Sequence, residues 1–222
     1  MARILRFAGL VIAVTFGSAA ASSPLSISKE ELITRLKAEP VHMAVGQPSS
    51  FEDRAGKAIG GFFGALGAAA QVAVNDSSGK QIADKLNIPD PSIEVKAQFE
   101  EFLRTKVSLG AIAPSSTESP EGSTGLTFSF VTKLVGLFAS PSGSAFAPSR
   151  GSRYARAGYE VQAELLDQKS GSTVWTGTCK AFSPESSTYS KENLLDRGGL
   201  LLKENLIKAA DRCADSLLAE LF

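Results

Sequence analysis

The sequence has 222 residues, of which 43% are hydrophobic and 21% charged, and its 23 basic side chains balance 23 acidic ones. This composition is close to that of ordinary globular proteins and excludes wholesale disorder. It also provides no basic surface for nucleic-acid phosphates, so we expect no nucleic-acid partner.

The first 21 residues have the pattern of a secretory signal peptide. Two arginines supply positive charge near the start, residues 7–16 are almost wholly apolar, and Ala19 and Ala21 are the small residues that precede a signal-peptidase cut. The apolar stretch of roughly ten residues is shorter than the about 20 that a membrane-spanning helix needs. We therefore expect cleavage near Ala21 and a periplasmic or secreted mature chain that begins at Ser22.

The cysteine content indicates a disulfide rather than a lipid anchor. A bacterial lipoprotein would carry a cysteine directly after the cut, where this chain has Ser22, and the nearest cysteine is Cys179. An oxidising compartment favours pairing of Cys179 with Cys213, the only pairing available. The alternative is two buried free thiols, which behave as small hydrophobic side chains.

Residues 22–112 are predicted to form a helical N-terminal region. Ser28, followed three positions later by Glu31, has the pattern of a helix N-cap, and the helix should end before Pro40. Residues 41–45 are predicted to form a short strand.

The next predicted helix is unusually apolar. Residues 47–50 suggest a turn into it, and Glu52 and Asp53 suit its first turn because acids there oppose the helix dipole. Within the glycine-rich segment 56–74, small residues recur at every fourth position, which would place them on one helix face that another backbone can approach closely. These residues are Gly56, Gly60, Gly64 and Ala68. Two interpretations stay open: a buried helix or flexible hairpin, or a glycine zipper that contacts a membrane or another copy of the chain.

A second amphipathic helix is predicted to begin at Asp90, as its N-cap, and Pro91, in its first turn. Its expected apolar stripe consists of Ile93, Ala97, Phe99, Phe102 and Leu103. Residues 113–125 are rich in Ser, Pro and Gly and are predicted to form a loop.

Residues 126–222 are predicted to form an α/β region that makes one compact domain with the preceding helices. Strands are expected at 126–138, 155–167 and 172–182, with a helix over 190–222 and a bend near Gly198-Gly199. The helix has an apolar stripe that would cover the strands: Leu202, Leu206, Ala210, Cys213, Leu217 and Leu221. The predicted class is α+β, with a small, mainly antiparallel sheet, the long C-terminal helix on one face and N-terminal helices.

The C-terminal third also has a characteristic succession of strand, turn, strand and helix. It begins with a strand at 159–167, continues through a Ser-Gly turn at 170–171 and a strand containing Trp-Thr-Gly at 174–179, and ends with Ala-Ala-Asp-Arg-Cys-Ala at 209–214. This pattern resembles a group of uncharacterised proteobacterial envelope proteins. More distantly, it resembles the sheet-and-helix domain of outer-membrane assembly lipoproteins of the curli-secretion and penicillin-binding-protein-activator type. The resemblance implies an accessory role in the envelope and carries over no active-site residues.

No motif in the sequence indicates catalysis. His42 is the only histidine, which excludes zinc sites built from several histidines. The two Ser-x-x-Lys patterns, at 26–29 and 77–80, lack the partner motifs of penicillin-recognising enzymes. Glu160, Glu164 and Asp167 are expected near one face of an alternating strand, as its solvated face rather than as paired catalytic acids. We therefore expect no catalytic, cofactor-binding or metal-binding residues.

Together these observations predict an exported, non-enzymatic periplasmic protein that acts as an envelope accessory or binding protein. Its partner would be an envelope protein or component of unknown identity, and the oligomeric state is open. The alternative is a membrane-associating or self-assembling protein that acts through the glycine-zipper segment 56–74.

Overall fold

The computed structural model describes residues 19–23, 25–47, 49–54, 79–109, 112–113, 125–139, 154–183 and 189–222. The strands are β1 (Ala19–Ser23), β2 (Val41–Val45), β3 (Phe51–Arg54), β4 (Ile112–Ala113), β5 (Leu126–Ala139), β6 (Tyr154–Asp167), β7 (Ser172–Phe182) and β8 (Tyr189–Ser190). The helices are α1 (Lys29–Ala38), α2 (79–86), α3 (Ser92–Phe102), which continues into a π-helical turn at Leu103–Val107, and α4 (Lys191–Leu221).

The strands form one sheet in the order β1-β7-β6-β5-β2-β4. Antiparallel pairing joins β5, β6 and β7, as predicted, and the three strands match their predicted bounds within one residue. The first four residues of β6 extend beyond β7, and β8 pairs with this end. Strands β2 and β3 run parallel to β5, one beside each half of it. The class is therefore α+β, and the sheet is mixed.

The prediction that a helix follows residues 47–50 is wrong for Phe51–Arg54, which form strand β3. Phe51 pairs with Val135 of β5, and Arg54 pairs with Phe138. Along β3 the buried residues alternate, since Phe51 and Asp53 face the core. Pairing with a distant strand therefore prevails over the local preference of acids for a helix start.

The core lies between one sheet face and the helices. Along β6, every second residue from Ala155 to Leu165 is fully buried, whereas the residues between them, apart from Gly158, are partly exposed. This is the alternation that a sheet covered on one face produces. Helix α3 packs on this face through Phe99, whose ring centre lies 5.6 Å from that of Phe128 and 4.9 Å from that of Phe130.

Helix α3 begins where the sequence predicts it, but its buried apolar stripe differs from the predicted one. Pro91 already has helical dihedral angles, and the carboxylate of Asp90 accepts a hydrogen bond from the Ser92 backbone N–H at 3.0 Å. The predicted stripe is wrong at Ile93, which is 57% exposed, and at Ala97, which is also exposed. The buried stripe instead continues into the π-helical turn: Val95, Phe99, Leu103 and Val107.

Helix α4 covers β6 and β7, and every residue of its predicted apolar stripe is buried. The predicted disulfide is present: Cys213 of α4 is bonded to Cys179 of β7, with 5.4 Å between their Cα atoms. Both residues are fully buried. The crosslink therefore fixes the second half of α4 to the sheet inside the core.

Beside this crosslink, the only tryptophan of the chain lies against a glycine on the same strand. Trp175 is 1% exposed, and a Cβ atom added at Gly177 would overlap its ring and lie 2.7 Å from Leu217 Cδ2. The missing side chain at Gly177 is what lets Trp175 and α4 share this part of the core.

Candidate functional site

A break in α4 shapes the candidate site. Asp196 has extended dihedral angles (φ −64°, ψ 161°), and the next three residues are left-handed, with φ values of 49° at Arg197, 70° at Gly198 and 69° at Gly199. The predicted bend at the glycines is therefore confirmed. Arg197 is the unexpected member, because left-handed backbone strains a residue that has a Cβ atom. Such strained residues are concentrated at functional sites.

Both segments beside the break are anchored. The first segment, 191–195, begins at Ser190, whose Oγ accepts a hydrogen bond from Asn193 N at 3.2 Å. Its Lys191 forms an ion pair with the buried Asp53 of β3. The second segment, 200–221, carries the disulfide. The break is thus a fixed feature of the surface, with each side attached to the sheet.

Contact with α2 explains why the break ends where it does. The side chain of Leu86 lies directly beside Gly199, and a Cβ atom added there would come within 2.7 Å of Leu86 Cδ1. At Gly198 an added Cβ atom would meet nothing within 4 Å. Gly199 is therefore required by both its φ value and its packing, whereas Gly198 is required by its φ value alone.

An open groove of about 350 Å³, the kink groove, lies at the break. Its lining residues are Tyr189, Asn193, Asp196, Arg197, Leu200, Leu201 and Glu204. Leu200 is 57% exposed, so it presents an apolar surface to this groove. The volume lies within the roughly 300–1,000 Å³ range of ligand pockets.

The groove combines an apolar surface with hydrogen-bonding groups of both kinds. Arg197 and Asn193 offer donors, and Asp196 and Glu204 offer carboxylate acceptors. Arg197 Nε lies 3.9 Å from Asp196 Oδ2, and both side chains are mostly exposed. An ion pair of this kind contributes little stability, so its groups can exchange partners at low cost.

A buried polar cluster joins the start of α3 to the sheet. The Thr132 hydroxyl donates to Asp90 Oδ1 at 2.6 Å, and the Ser92 hydroxyl donates to Asp90 Oδ2 at 2.7 Å. Tyr159 lies beside Thr132 and is fully buried. Burial raises the pKa of the Tyr159 phenol far above its ordinary value, and the nearby negative charge of Asp90 acts in the same direction. The phenol therefore stays neutral, and the cluster positions α3. The sequence marks Asp90 as a helix N-cap, but no local pattern indicates that Thr132 is its partner.

The acids that the sequence placed on the solvated face are used structurally. Glu160 forms an ion pair with Lys180 at 3.3 Å, and Glu164 accepts a hydrogen bond from Gln162 at 2.6 Å. The three carboxylates of Glu160, Glu164 and Asp167 thus hold separate partners rather than converging on one point.

Asp167 attaches α1 to the turn between β6 and β7. Its Oδ2 lies 3.1 Å from Arg35 Nη2, and its Oδ1 accepts the backbone N–H of Lys169 at 2.9 Å. Desolvation acts to raise the pKa of Asp167. The N–H of Lys169, the Arg35 guanidinium and the N–H of Ser170 outweigh it and hold the pKa below its ordinary value. The carboxylate is therefore ionised wherever the fold is intact at neutral pH.

Two further features that the sequence singled out are His42 and the glycine-rich segment. His42 lies on β2, where it pairs with Thr127 and Ala113. The row Gly56, Gly60, Gly64 and Ala68 and the segment 56–74 lie outside the described residues. In the part of the chain that is described, no group of three or more His, Cys, Asp or Glu side chains could hold a metal ion. None of the helices described has both the length and the hydropathy of a membrane span.

No protein-family model matches the sequence, and no curated protein matches it. Among solved structures, the chain is similar to the PelC dodecamer of Paraburkholderia phytofirmans, at 9% identity over 88% of this chain and 96% of that chain, with a TM-score of 0.30. It is similar to a Helicobacter pylori structure described as a homologue of neuraminyllactose-binding hemagglutinin, at 9% identity over 84% of each chain, with a TM-score of 0.38. It is also similar to a DUF330 protein of Xanthomonas campestris, at 11% identity over 82% of this chain and 85% of that chain, with a TM-score of 0.38.

These likenesses are structural similarity alone. At this identity and with TM-scores below 0.5, they carry no statement about the ligand, assembly or activity of this chain.

Proposed function

We propose that this chain is an exported, non-enzymatic protein of the cell envelope and that it binds a segment of another polypeptide in the kink groove. The observation that carries the proposal is the groove itself, where an exposed Leu200 and a strained Arg197 face the same open space. Export is supported by the signal pattern of residues 1–21 and by the buried Cys179–Cys213 disulfide, since such bonds persist in oxidising compartments.

A polypeptide is the ligand class that suits the chemistry of the groove. A peptide backbone presents both donors and acceptors. The lining offers a donor at Arg197 and an acceptor at Glu204 that could pair with them. The apolar surface of Leu200 and Tyr189 suits one inserted apolar side chain. A strongly charged ligand fits less well, because the lining offers both signs of charge.

A photo-crosslinking amino acid placed at position 200 of the full chain in its native host tests this proposal. Position 93 on α3 provides a matched control, because Ile93 and Leu200 are both 57% exposed. We expect a discrete polypeptide adduct from position 200 and none from position 93. Adding Arg197→Gly should weaken the adduct while the protein stays folded, since glycine tolerates the left-handed conformation.

The same host cells also test export, because the processed protein should fractionate with the periplasm and contain an oxidised disulfide. Adducts of equal yield from positions 93 and 200 would contradict the groove assignment. A cytoplasmic, reduced protein would contradict export and leave the groove result readable by itself.

The glycine-zipper segment supports a second proposal, membrane association or self-assembly, on the sequence repeat alone. Flotation of the mature protein with liposomes tests it beside the variants Gly60→Leu and Gly64→Leu. Flotation of the wild type that both variants lose would support a zipper contact. If the wild type does not float and the variants unfold, the segment is a buried helix.

A further inference from the structure

The predicted signal-peptide cut lies inside a strand of the sheet. Strand β1 runs antiparallel to β7, with Ala19 opposite Lys180, Ala20 opposite Cys179 and Ala21 opposite Thr178. Cleavage after Ala21 would therefore remove three of the five residues of β1. This consequence rests on the proposed export and processing of the chain.

The part of β1 that remains would stay attached to the other half of β7. Ser22 and Ser23 lie opposite Gly177 and Thr176. Further along, the backbone N–H and the hydroxyl of Ser26 both donate to the Val174 carbonyl at 3.1 Å. The new N-terminus would thus be held beside Gly177, and the edge of β7 from Thr178 to Lys180 would lose its partner strand.

We propose that this vacated edge of β7 is a docking site for an extended, small-residue segment of another polypeptide, added as an antiparallel strand. An unpaired strand edge presents backbone donors and acceptors to such a segment. The structure itself places an Ala-Ala-Ala segment there. Three alanines provide no charge and little side-chain bulk, so recognition depends on backbone hydrogen bonds and on close approach.

Two features favour this occupant. The edge is rigid, because β7 is paired with β6 along its length and Cys179 is bonded to α4. Binding therefore costs little ordering of the protein. Lys180 lies on β7 and is 45% exposed; lysines on edge strands disfavour pairing between two identical edges. A small-residue strand from a different chain avoids that repulsion.

The test uses the processed protein from the periplasm, after mass spectrometry has fixed its N-terminus. The probe is a dye-labelled peptide with the sequence of residues 18–22, Ser-Ala-Ala-Ala-Ser. A chain that keeps residues 19–21 behind a removed tag is the occupied control. We expect the peptide to bind the control at least about twofold more weakly, because a tethered strand competes at a millimolar effective concentration, which equals or exceeds the dissociation constant that the assay can detect.

Two N-methylated peptides separate strand addition from nonspecific binding. One carries the methyl group on the residue equivalent to Ala20, and the other carries methyl groups on the residues equivalent to Ala19 and Ala21. In an antiparallel pair, only the backbone N–H groups of alternate residues point to the partner strand. One methylation pattern should therefore remove the donors that bind β7 and abolish binding, and the other should preserve binding. Amide exchange at 178–180 should slow when the unmodified peptide is added.

A protein that begins at Ser22 and does not bind the peptide at millimolar concentration would overturn the proposal. Binding that tolerates both methylation patterns, or a dimer that excludes the peptide, would overturn it as well; the dimer would assign the edge to a second copy. A purified protein that retains residues 19–21 would overturn it by a separate route, because the predicted processing would then be absent.

Discussion

Reduction of the Cys179–Cys213 disulfide is the most direct test of how the fold is held together. The bond joins residues that are 34 positions apart, and its sulfur atoms lie in the core between β7 and α4. Reduction leaves two thiols of nearly the same volume in place, so it removes the crosslink and little of the packing. The chain-entropy relation for a loop of this length gives a loss of about 3–4 kcal/mol in the free energy of unfolding.

The assay is urea unfolding of the full mature chain with and without reductant, followed by far-UV circular dichroism. With a slope of about 2 kcal/mol per molar urea, in the middle of the range for small proteins, the midpoint should fall by roughly 1.5–2 M. The double variant Cys179→Ala/Cys213→Ala serves as the control. It should show no response to reductant, and it should be less stable than the reduced wild type because it also loses core volume.

An unchanged midpoint in the reduced wild type would refute the reasoning. It would mean either that the bond does not form in the native protein or that the unfolded chain is already compact around this loop. Mass determination after alkylation of free thiols in denaturant separates these two cases, since in the first case both buried cysteines react without any reductant.

Four further substitutions test individual contacts. Gly177→Val should destabilise the protein by about 1–3 kcal/mol through overpacking against Trp175, with the loss read from urea unfolding and tryptophan emission; unchanged stability would contradict the packing described. Gly198→Ala should cost about 1 kcal/mol for its left-handed backbone alone, whereas Gly199→Ala should cost measurably more in the same assay because α2 occupies the space; equal losses would contradict that contact. Asp167→Asn should lower stability at neutral pH, and the wild-type advantage should shrink as pH falls through about 4 and below, because the stability from a lowered carboxyl pKa is lost on protonation. Urea unfolding of both proteins across that range checks the last prediction, and an advantage independent of pH would contradict it.

The parts of the fold that the sequence predicts are those that depend on local periodicity. Strand β6 alternates apolar and polar residues from Tyr159 to Leu165, and the α4 stripe repeats every three or four positions, so both are recognisable from a short window. The glycine pair in α4 marks a break for the same local reason, since left-handed backbone favours glycine.

The parts that the sequence misses depend on distant partners. Nothing near Phe51 indicates that it will pair in parallel with β5, and Asp53, which suits a helix start, instead forms an ion pair with Lys191 from the far end of the chain. The exposure of Ile93 likewise follows from how α3 lies on the sheet. The left-handed Arg197 has no sequence signature, because its strain is set by packing on both sides of the break.

The attachment of α4 on both sides of its break determines how the kink groove can bind. A break inside a long helix would ordinarily be a hinge, and a groove at a hinge would have to be ordered each time a ligand bound. Here Lys191 and its buried acid hold one side of the break, and the Cys179–Cys213 crosslink holds the other. Because both sides are attached to the same sheet, the groove keeps its shape without a ligand. Binding energy is then not spent on ordering the site, which is the condition under which an open and modest groove can select a partner.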